Sequence, residues 1–231
     1  MYKKSLFIFL LWSLPCISSL AETDLNFKNQ RYFIKKDYVA REEYVYYDDT
    51  ANRDECQEEV YVAAFDLFLK ERCRVVVDVG CGSAFKLMKY FKDYQTIGFD
   101  VSQTLPFLKS QYPERQWYLS DFSMTQMNLP EIDLIICADV IEHLLDPDQL
   151  LNWIRKLNFK YLVISTPDRE LLPGVQGNKQ CLTGPPQNPK HIREWSFGEF
   201  ERYMAQYFDV VARFHTKKEW WGQVIVATKK Q

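Results

Sequence analysis

The sequence predicts an α/β fold: a seven-stranded, mostly parallel sheet with an antiparallel last strand and helices on both faces. Three observations carry this reading. Short β-branched runs alternate with helix-spaced apolar segments between Val75 and Ser165, the pattern of a sheet buried on both sides. The last two apolar runs, Val210–Phe214 and Val224–Ala227, are joined only by a short stretch around Trp220, Trp221 and Gly222. A parallel crossover needs about a dozen residues or more, so that pair is antiparallel. Finally, 231 residues at 47 % apolar content are enough to bury one large core.

Met1 to Ala21 reads as a secretory signal. Lys3 and Lys4 precede an apolar run from Leu6 to Leu14, Pro15 breaks it, and Ser19-Leu20-Ala21 offers small residues for cleavage after Ala21. Left uncleaved, the segment is short for a span and is the only part of the chain suited to a membrane. Its flanking charges would then place the main domain outside the cytosol. Residues 22–55 form a charged, aromatic lead-in with no period, which is expected to be solvated and only partly packed. Its cations (Lys28, Arg31, Lys35, Lys36, Arg41) are cancelled at once by Asp48, Asp49, Asp54, Glu55, Glu58 and Glu59.

The main domain, residues 56–231, opens on a helix over about 55–71, where Val60, Ala63, Ala64, Leu67 and Phe68 share a face. Val75–Val79 is a buried strand ending in Gly80, and Phe85 to Phe91 is helical. Thr96–Asp100 is the second strand, Leu105–Gln111 a weak helix and Gln116–Leu119 the third strand. Leu134–Ala138 and Tyr161–Ser165 are the fourth and fifth, with a helix through Leu150, Ile154 and Leu157 between them. A long Pro- and Gly-rich loop follows. Ser196 then caps a helix, with Glu199 completing a capping box. The net charge of -2 and pI near 6.0 supply no basic field and argue against nucleic acid. Six cysteines show neither CxxC nor metal-finger spacing and imply no disulfide framework.

Chemistry concentrates in two places. Asp78-Val79-Gly80-Cys81-Gly82-Ser83-Ala84 lies where the first strand meets its helix, so ligand can approach the backbone closely. Asp100 ends the second strand some 20 residues on, where a carboxylate accepts both hydroxyls of a ribose. Phe85 stands where a dinucleotide fold wants its third glycine, which argues against NAD. The second place groups Asp139, Glu142 and His143, within one helical turn of each other, with His191 beyond the fifth strand. Two carboxylates and two imidazoles suit Mg²⁺, Mn²⁺ or Zn²⁺.

Asp-x-Gly-x-Gly-x-Ala resembles motif I of the class I S-adenosylmethionine-dependent methyltransferases, with Ala84 where the family has glycine. Ser120-Asp121-Phe122 looks like their adenine site. Asp133 to Pro147 looks like motif IV of the branch containing ubiquinone-type O-methyltransferases. The resemblance implies a Rossmann-like sheet and S-adenosylmethionine held by Asp78, Gly80, Cys81, Gly82, Asp100, Val101, Asp121, Phe122 and Ala138. His143 or His191 would be the catalytic group that takes the acceptor proton. Asp139, Glu142, His143 and His191 also resemble the metal-binding set of small-RNA 3′-terminal 2′-O-methyltransferases, with Asp139 in place of their first glutamate. Tyr47 to Thr50, Gln57 to Tyr61 and Gly184 to Trp195 are similar to bacterial methyltransferase-domain proteins of uncertain substrate, often associated with glycan assembly. The expected reaction is O-methylation of a saccharide or another small hydroxyl acceptor. The alternatives are a metal-dependent RNA 2′-O-methyltransferase and a non-catalytic binding protein on a degenerate fold. Export implied by the N-terminus conflicts with a cofactor made in the cytosol.

Overall fold

The computed structural model describes residues 29–51, 53, 56–123, 128–172, 180–217 and 221–230. The signal-like segment and residues 22–28 of the lead-in lie outside the described residues. The apolar runs form strands β1 (Val75–Val79), β2 (Gln95–Asp100), β3 (Gln116–Leu119), β4 (Ile132–Ala138), β5 (Phe159–Pro167), β6 (Phe208–His215) and β7 (Gly222–Lys229). Helices are α1 (Glu58–Lys70), α2 (Phe85–Phe91), α3 (Leu105–Gln111), α4 (Pro147–Lys156), the short α5 (Gln180–Thr183) and α6 (Phe197–Met204). The seven strands lie in the order β3-β2-β1-β4-β5-β7-β6. Strands β1 to β5 pair in parallel, whereas β7 runs antiparallel to both β5 and β6. The antiparallel final pair expected from the short connection is thus present, with β7 inserted between β5 and β6.

Alternation along the strands fills two cores. Val77, Val79, Ile97, Phe99, Ile135, Cys137, Leu162 and Ile164 face one way, toward α4 and α6. Val76, Leu134, Ile136 and Val163 face the other, toward α1 and α2. Both faces are covered, so the strands read as continuous apolar runs rather than alternating ones. Helix α1 begins at Glu58, later than the apolar spacing alone indicates, because Gln57 adopts a left-handed φ of 64°.

The lead-in is more deeply packed than its composition suggests. Tyr32, Ile34 and Tyr38 are buried in the first core. Asn29 Nδ2 donates to the Tyr38 carbonyl at 2.7 Å, and the Tyr38 hydroxyl accepts the Glu194 N–H at 2.9 Å. Lys35 N–H donates to Glu199 Oε1 at 2.8 Å. Glu199 also completes the capping box of α6 and pairs with the buried guanidinium of Arg169. One carboxylate therefore ties lead-in, helix and β5 loop together, and removing either member of that pair would leave a buried charge uncompensated. Among the described residues, Cys56, Cys73, Cys81 and Cys137 form no disulfide, and no helix is long and apolar enough to cross a membrane.

The strand order reverses between β1 and β4, since β2 lies on one side of β1 and β4 on the other. Open α/β sheets bind ligands in the crevice at the carboxyl ends of such a pair.

Candidate active site

At the carboxyl end of β1 the backbone turns through Gly80 at φ +74° and Gly82 at φ +53°. A Cβ on Gly80 would stand 2.3 Å from Val140 Cγ2, and one on Gly82 would stand 2.2 Å from Asp49 Oδ2. Both positions therefore need glycine for conformation and for space. Ala84 adopts φ 55° in the same turn, a conformation that costs an L-residue roughly 1–2 kcal/mol. Gly82 N–H donates to Asp100 Oδ2 at 2.7 Å, and Val101 N–H donates to Oδ1 at 2.8 Å. Burial pushes the Asp100 carboxyl up, and these N–H donors partly offset it.

Asp78 lies beneath the loop, fully buried, and accepts the Tyr61 hydroxyl at 2.9 Å. Burial pushes its pKa up to about 7 against the opposing Tyr61 hydrogen bond. Burial likewise pushes the Cys81 thiol well up, with Asp100 and Asp78 adding to the effect, so that sulfur is protonated.

A cavity of about 840 Å³ opens over this turn. The structure brings Gly80, Cys81, Gly82, Asp100, Val101, Phe122 and Ala138 to its wall. Asp78 and Asp121 do not line it. Asp78 supports the turn from below, whereas Asp121 accepts the N–H of Ser123 at 3.0 Å and its hydroxyl at 2.5 Å. Leu119 and Ser120 occupy the β3 side instead.

The same cavity reaches Asp139, Glu142, His143 and His191. The helical turn that sequence spacing suggested does not form. Asp139 takes φ 52°, and only Ile141–His143 form a 3₁₀ turn. Asp139 is directed to Ser165, whose hydroxyl donates to its Oδ1 at 2.6 Å. Glu142, His143 and His191 do converge, with ligand atoms within 4.8 Å of one another. Glu142 is fully buried. Its Oε2 accepts Thr166 Oγ1 at 3.0 Å, and its Oε1 has no hydrogen-bond partner among the described residues. Burial, followed by repulsion from Asp139, pushes its carboxyl well above the ordinary range.

His143 Nδ1 lies 2.9 Å from the Lys190 carbonyl. A carbonyl only accepts, so that nitrogen carries the proton and Nε2 keeps its lone pair. Burial first, then the neighbouring His191, lower the His143 pKa to about 4, leaving the ring neutral at pH 7. His191 Nδ1 sits 2.6 Å from Glu194 Oε1, and its Nε2 sits 2.9 Å from Asn188 Nδ2. The two imidazoles meet edge to face at 4.8 Å, and Tyr47 stacks on His143 at 6.1 Å. The 187–194 loop is fastened to the 3₁₀ turn by Ile192 N–H on the Glu142 carbonyl at 2.7 Å. Arg193 adds bonds to the carbonyls of Leu144 and Leu145 at 2.7 and 2.9 Å. These tethers unite segments about 50 residues apart, which no local spacing reveals.

Several wall residues lie outside the predicted site set: Tyr44 to Tyr47 and Asp49 from the lead-in, Gln57, and Lys86; of these, Tyr47, Asp49 and Gln57 carried only the resemblance of the lead-in. Glu194 was legible only as a carboxylate three residues after His191.

Residues 51–214 match the family described as the Methyltransferase domain. The chain belongs to that family. The class I methyltransferase reading of its motifs stands with it, and so does the Rossmann-like fold. Among solved structures, a Synechocystis magnesium protoporphyrin IX methyltransferase with bound S-adenosylhomocysteine is similar at TM-score 0.58 and 14 % identity. That match covers 92 % of this methyltransferase and 100 % of the other chain. The N-methyltransferase NodS of Bradyrhizobium japonicum, with the same product bound, matches at 0.56 and 14 %, covering 79 % and 95 %. A Pyrococcus horikoshii protein matches at 0.57 and 19 %, covering 80 % and 95 %. At such identities these likenesses speak for the fold alone. No curated protein sequence matches this methyltransferase.

Proposed function

We propose that this methyltransferase moves the methyl group of S-adenosylmethionine to a hydroxyl of a saccharide or similar small acceptor, with His143 as the base. The observation that carries the reading is one continuous cavity whose wall includes both the carboxylate of Asp100 and the neutral imidazole of His143 with its unprotonated Nε2. Asp100 would hold the ribose, Leu119 and Phe122 would flank the base, and Ala138 and Val140 would lie nearest the sulfonium. There the acceptor oxygen attacks the methyl carbon. The C–O bond forms, the C–S bond breaks, and the hydroxyl proton passes to His143 Nε2, leaving S-adenosylhomocysteine. The sulfonium is already activated, so holding the two partners in line supplies much of the rate. Tyr44 and Tyr47, about half exposed at the rim, offer the flat faces that a sugar uses.

The test is transfer of labelled methyl from S-adenosylmethionine to a panel of glycan and small hydroxyl acceptors. Label in an acceptor, lost in His143→Ala, supports the reading. Label in no hydroxyl acceptor overturns it.

A divalent ion is a second reading, favoured by the orphaned Glu142 Oε1. Glu142, His143 and His191 would hold it, and it would lower the pKa of the acceptor hydroxyl. The fit is partial. His191 would have to release Asn188, and Asp139 is already engaged by Ser165. Activity lost on chelation and restored by Mg²⁺, Mn²⁺ or Zn²⁺ supports this reading, and full activity in chelator excludes it. Export through the signal-like segment is also proposed. Glu22 as the first residue of the native protein supports it, and an intact Met1 contradicts it.

A further inference from the structure

His143 and His191 stand in the same wall, yet their ring nitrogens are engaged differently, and Asn188 makes the difference. Its Oδ1 accepts the Lys190 N–H at 3.0 Å, which fixes the amide and turns Nδ2 toward His191 Nε2 at 2.9 Å. An amide N–H only donates, so Nε2 is the accepting nitrogen and the ring proton lies on Nδ1. Nδ1 therefore donates to Glu194 Oε1 at 2.6 Å. The donors run one way, from the Lys190 backbone through Asn188 and His191, and the run ends on a carboxylate. Hydrogen bonds aligned in this way polarise one another. His191 has both ring nitrogens engaged, whereas His143 Nε2 keeps its lone pair.

Glu194 has one more oxygen than this run uses. The residue is 2 % exposed and lines the cavity. Among the described residues its Oε2 has no hydrogen-bond partner, and it is not sealed from solvent as Glu142 Oε1 is. Its open side is the cavity. A carboxylate oxygen in so enclosed a place is costly to leave without a donor. The side chain is also held still. Glu194 N–H donates to the Tyr38 hydroxyl at 2.9 Å, its carbonyl accepts Arg169 Nη1 at 3.0 Å, and His191 holds Oε1. Because His191 meets His143 edge to face at 4.8 Å, the Glu194 carboxylate stands one imidazole beyond the proposed base.

We propose that Glu194 Oε2 accepts a hydrogen bond from a second hydroxyl of the methyl acceptor, on the carbon next to the one that is methylated. The inference rests on the hydroxyl-acceptor reading above and narrows it, since the site then selects vicinal diols over isolated hydroxyls. One hydroxyl gives its proton to His143 Nε2, and its neighbour donates to Glu194. His191 is a positioning residue that fixes the Glu194 carboxylate.

Labelled-methyl transfer by the full chain tests this with matched acceptors, methyl glycopyranosides and the monodeoxy glycosides that each lack one hydroxyl. Wild type should lose about tenfold to a hundredfold in kcat/KM when the hydroxyl beside the methylated position is removed, the range of one charge-assisted hydrogen bond. In Glu194→Gln the amide oxygen takes over the His191 bond, and an N–H group faces the cavity where a carboxylate oxygen accepted. That variant should lose a similar factor on the parent glycoside and less than about twofold on the neighbouring deoxy glycoside. Its affinity for S-adenosylhomocysteine should equal that of wild type, which shows that the fold is intact. An equal loss on both glycosides overturns the proposal, because it would mark a role confined to holding His191. So does a variant with unchanged activity, or a wild type indifferent to the neighbouring hydroxyl. Label in no glycoside defeats the hydroxyl-acceptor reading and this inference with it. Label in glycosides without these differences defeats this inference alone.

Discussion

The two halves of the cavity are built by different means. At the ends of β1 and β2 the backbone does most of the work. Gly80 and Gly82 bend the chain, two N–H groups fix Asp100, and Asp78 supports the turn from below. At the ends of β4 and β5 side chains do it. Glu142, His143 and His191 come from two segments held together by the 187–194 loop, and burial shifts the protonation of Glu142 and His143. The contrast teaches that the two halves answer to separate constraints, whichever of them the proposed reading gives to cofactor and to acceptor. One half tolerates no added side-chain volume, and the other no change of functional group.

His143→Ala tests that separation most sharply. The account expects kcat to fall by about a hundredfold to ten-thousandfold, the usual contribution of a general base, with S-adenosylhomocysteine affinity unchanged. A parallel loss of cofactor binding would show that the halves are not separable. Asp78→Asn probes the other half through pH. The folded pKa of Asp78 is raised, so the folded state holds a proton that the unfolded state releases. Its stabilising contribution is complete below about pH 4 and is lost as pH rises toward about 7. Wild type should lose stability relative to Asp78→Asn across that window, by at most about 4 kcal/mol, in urea midpoints measured at several pH values. A constant difference between the two proteins would contradict the burial argument. Gly80→Ala is the smallest of the three. Its Cβ would overlap Val140 Cγ2 at a positive φ, and a loss of about 1–3 kcal/mol in unfolding free energy is expected. An unchanged melting curve would show that the turn has slack.

The same division explains what the sequence disclosed. Strand runs such as Val75–Val79 and the Gly80–Gly82 turn are local, because a buried strand and a left-handed turn each leave a mark on adjacent residues. The antiparallel final pair followed from a connection too short to cross over. The insertion of β7 between β5 and β6 did not, since strand order has no local signature. Asp139 was read onto one face with Glu142 and His143 by assuming helical geometry. It adopts a positive φ instead, and its partner Ser165 lies in a strand 26 residues away. Burial of the lead-in was equally hidden. Tyr32 and Tyr38 sit among charges in sequence, and their partners, Trp195 and Glu194, are some 160 residues distant. Glu142 looked like a metal-binding carboxylate, and only the fold reveals it as fully buried with one oxygen lacking a hydrogen-bond partner among the described residues.

Calorimetric titration of wild type and Asp100→Ala with S-adenosylhomocysteine is the most direct measurement of all. One site per chain is expected in wild type, with at least about a tenfold weakening when the Asp100 carboxylate is removed. Absence of binding to wild type at millimolar ligand, or equal affinity in the two proteins, would contradict it.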